Sequence, residues 1–316
     1  MSKVSIVIGF TPYHAYASRQ IIDSLEGEVY CCFSKLWPET QRRYKRSFHT
    51  GRGGKLSNFI MFFIFSFKVK WYLLTKKDID VYMPHPANIF TNYLFFVQRN
   101  GKRCFIYEDG LLNYYDAELV YEPVSLTKRV FALFCLHPYK KYAGHLAGYD
   151  AGSYDGAFLS MPELAVRKES LGRLWRLEFV APQLNYDEKI ILFLDQNTNG
   201  RMTESERFQC LEKMYLQYPP AEYKYYYKPH HDFNEGVIPG MTKLDAESAE
   251  IPAEMLVMTL RPKRVMSFYS SALINIKRCH SEIESISIAG NKVDLIVSGE
   301  KIFLDDFFKR FDIKCL

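Results

Sequence analysis

The sequence contains no CxxC pair although it has seven cysteines, so neither a zinc ribbon nor a dithiol redox motif is present. The odd number and scattered, apolar positions of the cysteines predict free, buried thiols in a reducing cytoplasm. The first residues, MSKVSIVIGFTP, also lack the long apolar core and small-residue cleavage site of a signal peptide. They predict a first β-strand instead.

Four common catalytic motifs are absent as well. There is no GxGxxG after the first predicted strand, no GxxxxGK[ST], no HExxH and no GxSxG. A dinucleotide-dependent enzyme, a P-loop NTPase, a zincin and an α/β-hydrolase therefore lose their main support in the sequence. The formal net charge of +5 comes without the dense basic stripe that nucleic-acid binding requires, so no nucleic-acid partner is predicted.

No apolar run reaches the roughly 20 residues that span a bilayer. The densest run, residues 59–67, is interrupted by Lys68 and Lys70. We interpret residues 58–75 as a buried helix, with an interfacial membrane anchor as the alternative. Residues 42–55 carry six Lys or Arg residues with aromatic residues between them. They form either a solvated loop or a contact with an anionic membrane surface or glycolipid, on the cytoplasmic face of the inner membrane.

Short apolar strands alternate with helical segments in both halves of the chain. This alternation predicts an α/β fold with parallel sheets covered on both faces. We predict two Rossmann-like domains that face a central cleft, with boundaries at residues 1–165 and 166–300, and a C-terminal helix over 301–316 that packs back on the first domain. The second half contains one strong helix signal, the capping box formed by Thr203 and Glu206.

Five polar clusters follow predicted strands directly. Ligands of open parallel sheets bind beyond the carboxyl ends of the strands, so these clusters are the candidate site. They are Thr11 to His14, His85, Glu108-Asp109-Gly110, His230-His231 and Ser270-Ser271.

The strand KRCFIY ends at two adjacent acids, Glu108 and Asp109. Adjacent strand residues point to opposite faces, so one acid can serve the site while the other holds a backbone group or a basic partner. Gly110 permits a sharp turn and close approach of a ligand. A carboxylate at this position can take a proton from a hydroxyl group. The alternative is simple capping of the next helix.

The segment YKPHHDF places Lys228, His230 and His231 together after another strand. A histidine that acts as general acid and a fixed positive charge suit a phosphate leaving group, whereas the alternative is a polar surface loop. The paired histidines have no third ligand spaced to complete a metal site. Ser270 and Ser271 open a predicted helix, where hydroxyls and free amides form either an anion site or a plain cap.

The ordered series E-D-G, K-x-H, P-x-E and S-S resembles the motifs of bacterial sialyltransferases, including the compact lipooligosaccharide, capsule and O-antigen enzymes and the polysialyltransferases. The resemblance covers about residues 80–275. It implies a GT-B fold and inverting, metal-independent transfer of sialic acid from CMP-sialic acid to a terminal sugar of a surface glycan, with galactose and an α2,3 linkage favoured. The alternatives are transfer of another CMP-activated acidic sugar such as Kdo, a polysialyltransferase, or a non-catalytic glycan-binding or assembly protein.

The resemblance also implies a role for each matching residue. Asp109 matches the general base of the first domain, and His230 the histidine that protonates or stabilises the departing CMP phosphate. Lys228 would face the nucleotide or phosphate. Glu254, in IPAE, falls where the family binds ribose hydroxyls, and the Ser270-Ser271 pair matches the residues that hold the CMP phosphate.

The sequence departs from the family pattern after the first histidine. The family commonly has His-Pro, whereas here Pro229 precedes His230 and His231 follows it. The spacing from Lys228 favours His230. A separate His-Pro pair begins at His85 and is interpreted as structural or acceptor-side. The DID sequence at 78–80 has the spacing of an Asp-x-Asp metal site but precedes a strand core, so we expect no metal there.

Overall fold

The computed structural model describes residues 3–33, 48–49, 55–119, 126–179, 184–230 and 238–316. The chain forms two compact units, Met1–Glu178 and Phe179–Leu316. The first unit therefore extends beyond the predicted boundary at residue 165. The reason is an additional edge strand, Arg173–Arg176, which pairs in parallel with Gly156–Leu159 and completes the first sheet.

The sheet of the first unit has seven strands in the order β3-β2-β1-β4-β5-β6-β7, and every described pairing is parallel. Its central strands are buried at nearly every position, as expected for a sheet covered on both faces. The strands are β1 (Val4–Gly9), β2 (Glu28–Phe33), β3 (Phe48–His49), β4 (Ile79–Met83), β5 (Lys102–Tyr107), β6 (Gly156–Leu159) and β7 (Arg173–Arg176).

The first helix of the first unit begins at a recognisable sequence signal. Thr11 caps the first helix through a capping box, with Pro12 at the first helical position, and this helix ends at Ser18, where a second helix begins. A 3₁₀ turn, Gly110–Tyr114, follows β5. The helices are α1 (Pro12–Ala17), α2 (Arg19–Ser24), α3 (Lys55–Thr75), α4 (Ile89–Phe96) and α5 (Leu126–Phe134).

The second unit has a six-stranded parallel sheet and a separate antiparallel hairpin. The sheet order is β10-β9-β8-β11-β12-β15. The strands are β8 (Asp187–Leu194), β9 (Lys224–Lys228), β10 (Met241–Lys243), β11 (Pro262–Ser267), β12 (Glu284–Ser287), the hairpin strands β13 (Asp294–Val297) and β14 (Glu300–Phe303), and β15 (Lys314–Cys315).

The described part of the second unit contains five helices: α6 (Glu204–Gln217), α7 (Ala246–Glu250), α8 (Ala253–Leu260), α9 (Ala272–Cys279) and α10 (Leu304–Lys309). The capping box predicted at Thr203 and Glu206 is confirmed. The predicted helix over residues 301–316 is wrong as a single element. Only its middle is helical, and its end pairs with β12 inside the second unit.

All seven cysteines are free and five of them are buried, as predicted. Residues 58–75 do lie within a helix, α3, and one side of that helix is buried in the first unit. In the part of the chain that the structure describes, no helix combines the length and apolar character needed to cross a membrane.

Candidate functional site

The carboxyl ends of three neighbouring strands of the first unit bring His14, His85 and Asp109 together. These strands, β1, β4 and β5, lie side by side and run in the same direction. His14 Nε2 lies 2.6 Å from Asp109 Oδ1, and His85 Nε2 lies 3.7 Å from Asp109 Oδ2. Residues that are 24 to 95 positions apart in sequence thus form one cluster.

Asp109 is oriented by its neighbours and still accessible. Its side chain is 26% exposed, while the His14 side chain is 2% exposed. Burial raises the pKa of Asp109, but the electrostatic field and hydrogen bond of His14, together with His85, outweigh this effect and hold the pKa below its ordinary value. The carboxylate is therefore ionised at neutral pH, as a general base must be.

The ring of His14 has a defined tautomer. Its Nδ1 accepts hydrogen bonds from the backbone N–H groups of Phe10 (3.0 Å) and Thr11 (3.3 Å). The proton of the neutral ring must therefore lie on Nε2, which donates to Asp109. The hydroxyl of Thr11 in turn accepts from His14 N (3.2 Å), so the helix cap fixes the position of the ring.

A glycine allows this close arrangement at the end of β1. A Cβ atom at Gly9 would lie 2.5 Å from the Phe33 ring and 2.9 Å from His14 Cβ. Real Cβ atoms do not approach other atoms this closely, so a larger residue would displace the ring or the start of the helix. Gly9 is therefore a positioning residue that the sequence analysis did not identify.

His85 presents its Nε2 to the same carboxylate. Its Nδ1 accepts from Ala87 N at 3.1 Å, and its ring lies 5.3 Å from that of Phe10. Burial lowers the pKa of His85, and the opposing effect of Asp109 is smaller. The neutral ring thus directs an N–H toward Asp109 Oδ2, at a distance longer than a hydrogen bond.

Glu108 points away from this cluster and is fully buried. Its carboxylate accepts from Tyr13 OH and Ser160 N, each at 2.6 Å, and from the hydroxyls of Tyr114 and Ser160. Burial, and next the charge of Glu108, raise the pKa of Tyr114 well above its ordinary value. The two adjacent acids therefore occupy different environments, as the alternation of a strand predicts.

The capping alternative for Asp109 is not what the structure contains. Asp109 occupies the N-cap position of the 3₁₀ turn, but its side chain makes no capping hydrogen bond. Instead its backbone N–H donates to Asn113 Oδ1 at 2.9 Å, and Gly110 adopts a positive φ of 55°. The carboxylate of Asp109 is thus left for the histidines and for a ligand.

In the second unit, Lys228 and His230 lie at the end of β9 and the two serines follow β11, while β8 lies between these two strands in the sheet. Lys228 ends β9, is half-buried, and donates from Nζ to the carbonyl of Ala249. His230 follows two residues later and is also half-buried. His231 lies outside the described residues.

The two serines precede α9 as predicted, and they differ in role. Ser270 Oγ accepts from Ala272 N at 3.2 Å, so Ser270 acts as a cap. Ser271 occupies the N-cap position without a side-chain capping bond. Glu254, in the first turn of α8, is buried, and its Oε1 accepts from Asn275 Nδ2 at 2.9 Å. Because Asn275 lies one turn after Ser271, this bond joins the starts of α8 and α9.

A further polar cluster, which is not among the residues predicted from the sequence, follows β8. Buried Asp195 binds Arg207 (3.0 Å) and accepts from Tyr227 OH (2.6 Å). The next residue, Gln196, accepts from Tyr269 N at 3.0 Å and so holds the segment that leads to the serines. The signal was available, because the letters DQN directly follow the most apolar strand of the second half.

The last residue of the DID sequence, Asp80, has a structural role. Asp80 is buried and pairs with Arg103 (2.8 Å) and Lys3 (2.9 Å). Within the described ranges, no group of three or more His, Cys, Asp or Glu side chains has a geometry that could hold a metal ion.

Comparisons with known proteins identify the fold of the chain through solved structures and not through sequence. No protein-family model matches the chain, and no curated protein sequence matches it. Among solved structures, an α/β-galactoside α-2,3-sialyltransferase from the luminous marine bacterium Photobacterium phosphoreum aligns with a TM-score of 0.57 and 11% identity, over 100% of this chain and 99% of that one.

Other matching structures have lower scores. A putative UDP-N-acetylglucosamine 2-epimerase from Listeria monocytogenes aligns with a TM-score of 0.47 and 10% identity, over 91% of this chain and 79% of that one. The UDP-GlcNAc 2-epimerase of Methanocaldococcus jannaschii aligns with a TM-score of 0.47 and 9% identity, over 90% and 83%. The two parallel α/β units and the end-to-end match to the Photobacterium enzyme together show that this chain has the GT-B glycosyltransferase fold.

Proposed function

We propose that the protein is an inverting sialyltransferase that moves sialic acid from CMP-sialic acid to a terminal galactose of a bacterial surface glycan. The observation that carries the proposal is the environment of Asp109, which is ionised, partly exposed and bracketed by two histidines at the carboxyl edge of a parallel sheet. The fold supports it, as does the sialyltransferase activity of the Photobacterium enzyme that shares this fold. The order of the sequence motifs supports it independently.

Asp109 is the group in this cluster that can take a proton. His14 and His85 each use Nδ1 to accept a backbone N–H, and each directs Nε2 toward Asp109. Neither ring therefore has a nitrogen available to act as the base. In the proposed reaction, an Asp109 oxygen accepts the proton of the acceptor hydroxyl while the hydroxyl oxygen attacks the anomeric carbon and the bond to the CMP phosphate breaks.

The second unit is proposed to stabilise the leaving group. CMP departs as a monophosphate, whose developing charge suits His230, Lys228 and the Ser271 hydroxyl, together with the start of α9. Glu254 is the proposed ribose ligand. These groups supply positive charge and hydrogen bonds without a divalent ion, so activity in excess EDTA is the expected behaviour. We also propose a cytoplasmic location, which suits a protein with seven free cysteines.

The test is transfer from CMP-sialic acid by purified protein to a panel of galactosides and sialosides, followed by linkage analysis. Asp109→Asn and His230→Gln should each lower kcat by a factor of about 10² or more. Glu163→Gln is the matched control, because Glu163 is an exposed carboxylate of the first unit and its ion pair with Arg176 lies on the protein surface. It should retain full activity.

The same panel separates the alternatives. Turnover of CMP-Kdo in place of CMP-sialic acid would identify a related CMP-sugar transferase, and extension of sialosides would identify a polysialyltransferase. Binding of a glycan without hydrolysis or transfer of any CMP-sugar would identify a non-catalytic protein. Wild-type turnover by both Asp109→Asn and His230→Gln would refute the assigned roles.

A further inference from the structure

One face of α3 exposes a continuous stripe of large apolar side chains. Their exposed fractions range from 45% to 80%, and their spacing of four, three, four and three residues places them on one side of the helix. The opposite side is packed into the first unit, where Phe65 and Val69 are each only 1% exposed. The stripe consists of Ile60, Ile64, Phe67, Trp71 and Leu74.

The neighbouring helix α5 extends this surface. Its exposed apolar residues, with the residue shortly after its end, are Leu126, Val130, Leu133, Phe134 and Leu136. The ring of Phe63 joins the two helices, since its centroid lies 4.7 Å from that of Phe67 and 5.2 Å from that of Phe134. Lys70 also donates to the carbonyl of Leu136. We call these ten residues of α3, α5 and the turn after α5 the apolar face.

Scattered exposed hydrophobic residues are normal, but a contiguous surface of this kind indicates a binding site. The apolar face is too one-sided to belong to a membrane-spanning helix, because the other side of α3 forms part of the protein core. A helix in this position can lie in the plane of a membrane interface.

The distribution of charge along the sequence indicates that the partner of the apolar face is anionic. The segments that contain α3 and α5, residues 40–77 and 123–149, include 14 of the 41 Lys and Arg residues and none of the 36 Asp and Glu residues. The rest of the chain therefore has 27 basic and 36 acidic residues, a net charge of −9. The basic character of the protein is confined to the two segments that carry the apolar face.

We propose that the apolar face docks onto an anionic lipid bilayer, with α3 and α5 parallel to the membrane surface. Aromatic and aliphatic side chains would enter the interface while the flanking Lys and Arg residues contact the headgroups. A second copy of the chain is the weaker candidate, because two such faces would bring like charges together. The proposal does not depend on the proposed reaction.

The test is co-sedimentation of the full chain with vesicles of phosphatidylglycerol and phosphatidylcholine, compared with phosphatidylcholine alone. Binding should be about tenfold or more stronger to the anionic vesicles and should weaken in high salt. The double variant Ile64→Glu, Leu74→Glu should lose at least about tenfold in binding. Leu216→Glu is the matched control, since Leu216 is 85% exposed on α6 of the second unit, and it should bind like the wild type.

Trp71 provides a readout that needs no disruptive variant, because its side chain is 64% exposed. Its emission should shift to shorter wavelength on anionic vesicles and be quenched by brominated lipids. Trp71→Phe should remove that signal and still sediment. Failure of wild-type protein to bind anionic vesicles, equal binding by the double variant, or a dimer that the double variant dissociates would each overturn the proposal.

Discussion

Replacement of Glu108 should strongly destabilise the first unit, whereas replacement of its neighbour Asp109 should leave the stability nearly unchanged. Glu108 is fully buried and accepts from two tyrosine hydroxyls, a serine hydroxyl and a backbone N–H. The Asp109 side chain is 26% exposed and makes no capping hydrogen bond to the 3₁₀ turn that follows it. Adjacent carboxylates of equal formal charge thus have opposite expected effects.

The magnitude follows from the hydrogen bonds that Glu108→Ala would remove. Tyr13 is half-buried and can donate to water, so the loss of its hydrogen bond to Glu108 costs little. Ser160 N and the hydroxyls of Tyr114 and Ser160 are buried, and the loss of a hydrogen-bond acceptor by a buried donor costs about 1–3 kcal/mol. The two hydroxyls lie 3.3 Å apart and can partly bond to each other. We therefore expect a loss of about 3–5 kcal/mol in the free energy of unfolding.

The assay is thermal and chemical unfolding of the two variants beside the wild type. For a unit of this size, the loss in Glu108→Ala corresponds to a fall of roughly 10 °C in the unfolding midpoint. Asp109→Asn should change stability by less than about 1 kcal/mol, because the amide oxygen still accepts from His14. A Glu108→Ala protein as stable as wild type, or an Asp109→Asn protein that unfolds more easily than Glu108→Ala, would refute this account of the two acids.

Three further changes test other parts of the structure. Both ring nitrogens of buried His137 lack a hydrogen-bond partner in the described part of the chain, and burial lowers its pKa to about 3. Below pH 6.5 this histidine is protonated in the unfolded chain but not in the folded one, so the free energy of unfolding should fall by up to about 1.4 kcal/mol per pH unit towards pH 3. Denaturant titrations at several pH values should show a weaker dependence of this free energy on pH in His137→Phe. Asp195→Ala should lower the free energy of unfolding in urea by about 3–5 kcal/mol, because it removes the buried carboxylate that pairs with Arg207 and accepts from Tyr227 OH; an unchanged urea midpoint would contradict this. Gly9→Ala should raise the activation free energy calculated from kcat by more than it lowers the free energy of unfolding, because its Cβ would displace the ring of Phe33 and the start of α1. Unchanged transfer kinetics would argue against a positioning role.

Local signals in the sequence determined the elements that contain the candidate site. Apolar runs predicted β1, β4, β5, β8, β9 and β11, and capping residues located the starts of α1 and α6. The alternation of these elements predicted two parallel α/β units. The sequence also indicated that Glu108 and Asp109 have separate roles, because the period of a strand is two and is set by the backbone alone.

Tertiary structure decided which acid is which. A strand period cannot tell the buried face from the open one, so the donors from Tyr13, Tyr114 and Ser160 identify Glu108 as structural only once the chain is folded. Likewise, short edge strands such as β7 and β15 carry little periodicity and depend on the neighbour that they pair with.

The long helix α3 illustrates the same limit. Its sequence is apolar around most of the helix, so periodicity alone cannot decide between a fully buried helix and an interfacial one. Only the position of α3 at the edge of the first unit decides that one side meets the core and the other side remains uncovered. Local patterns specify how a segment folds, whereas exposure depends on contacts between segments that are distant in the sequence.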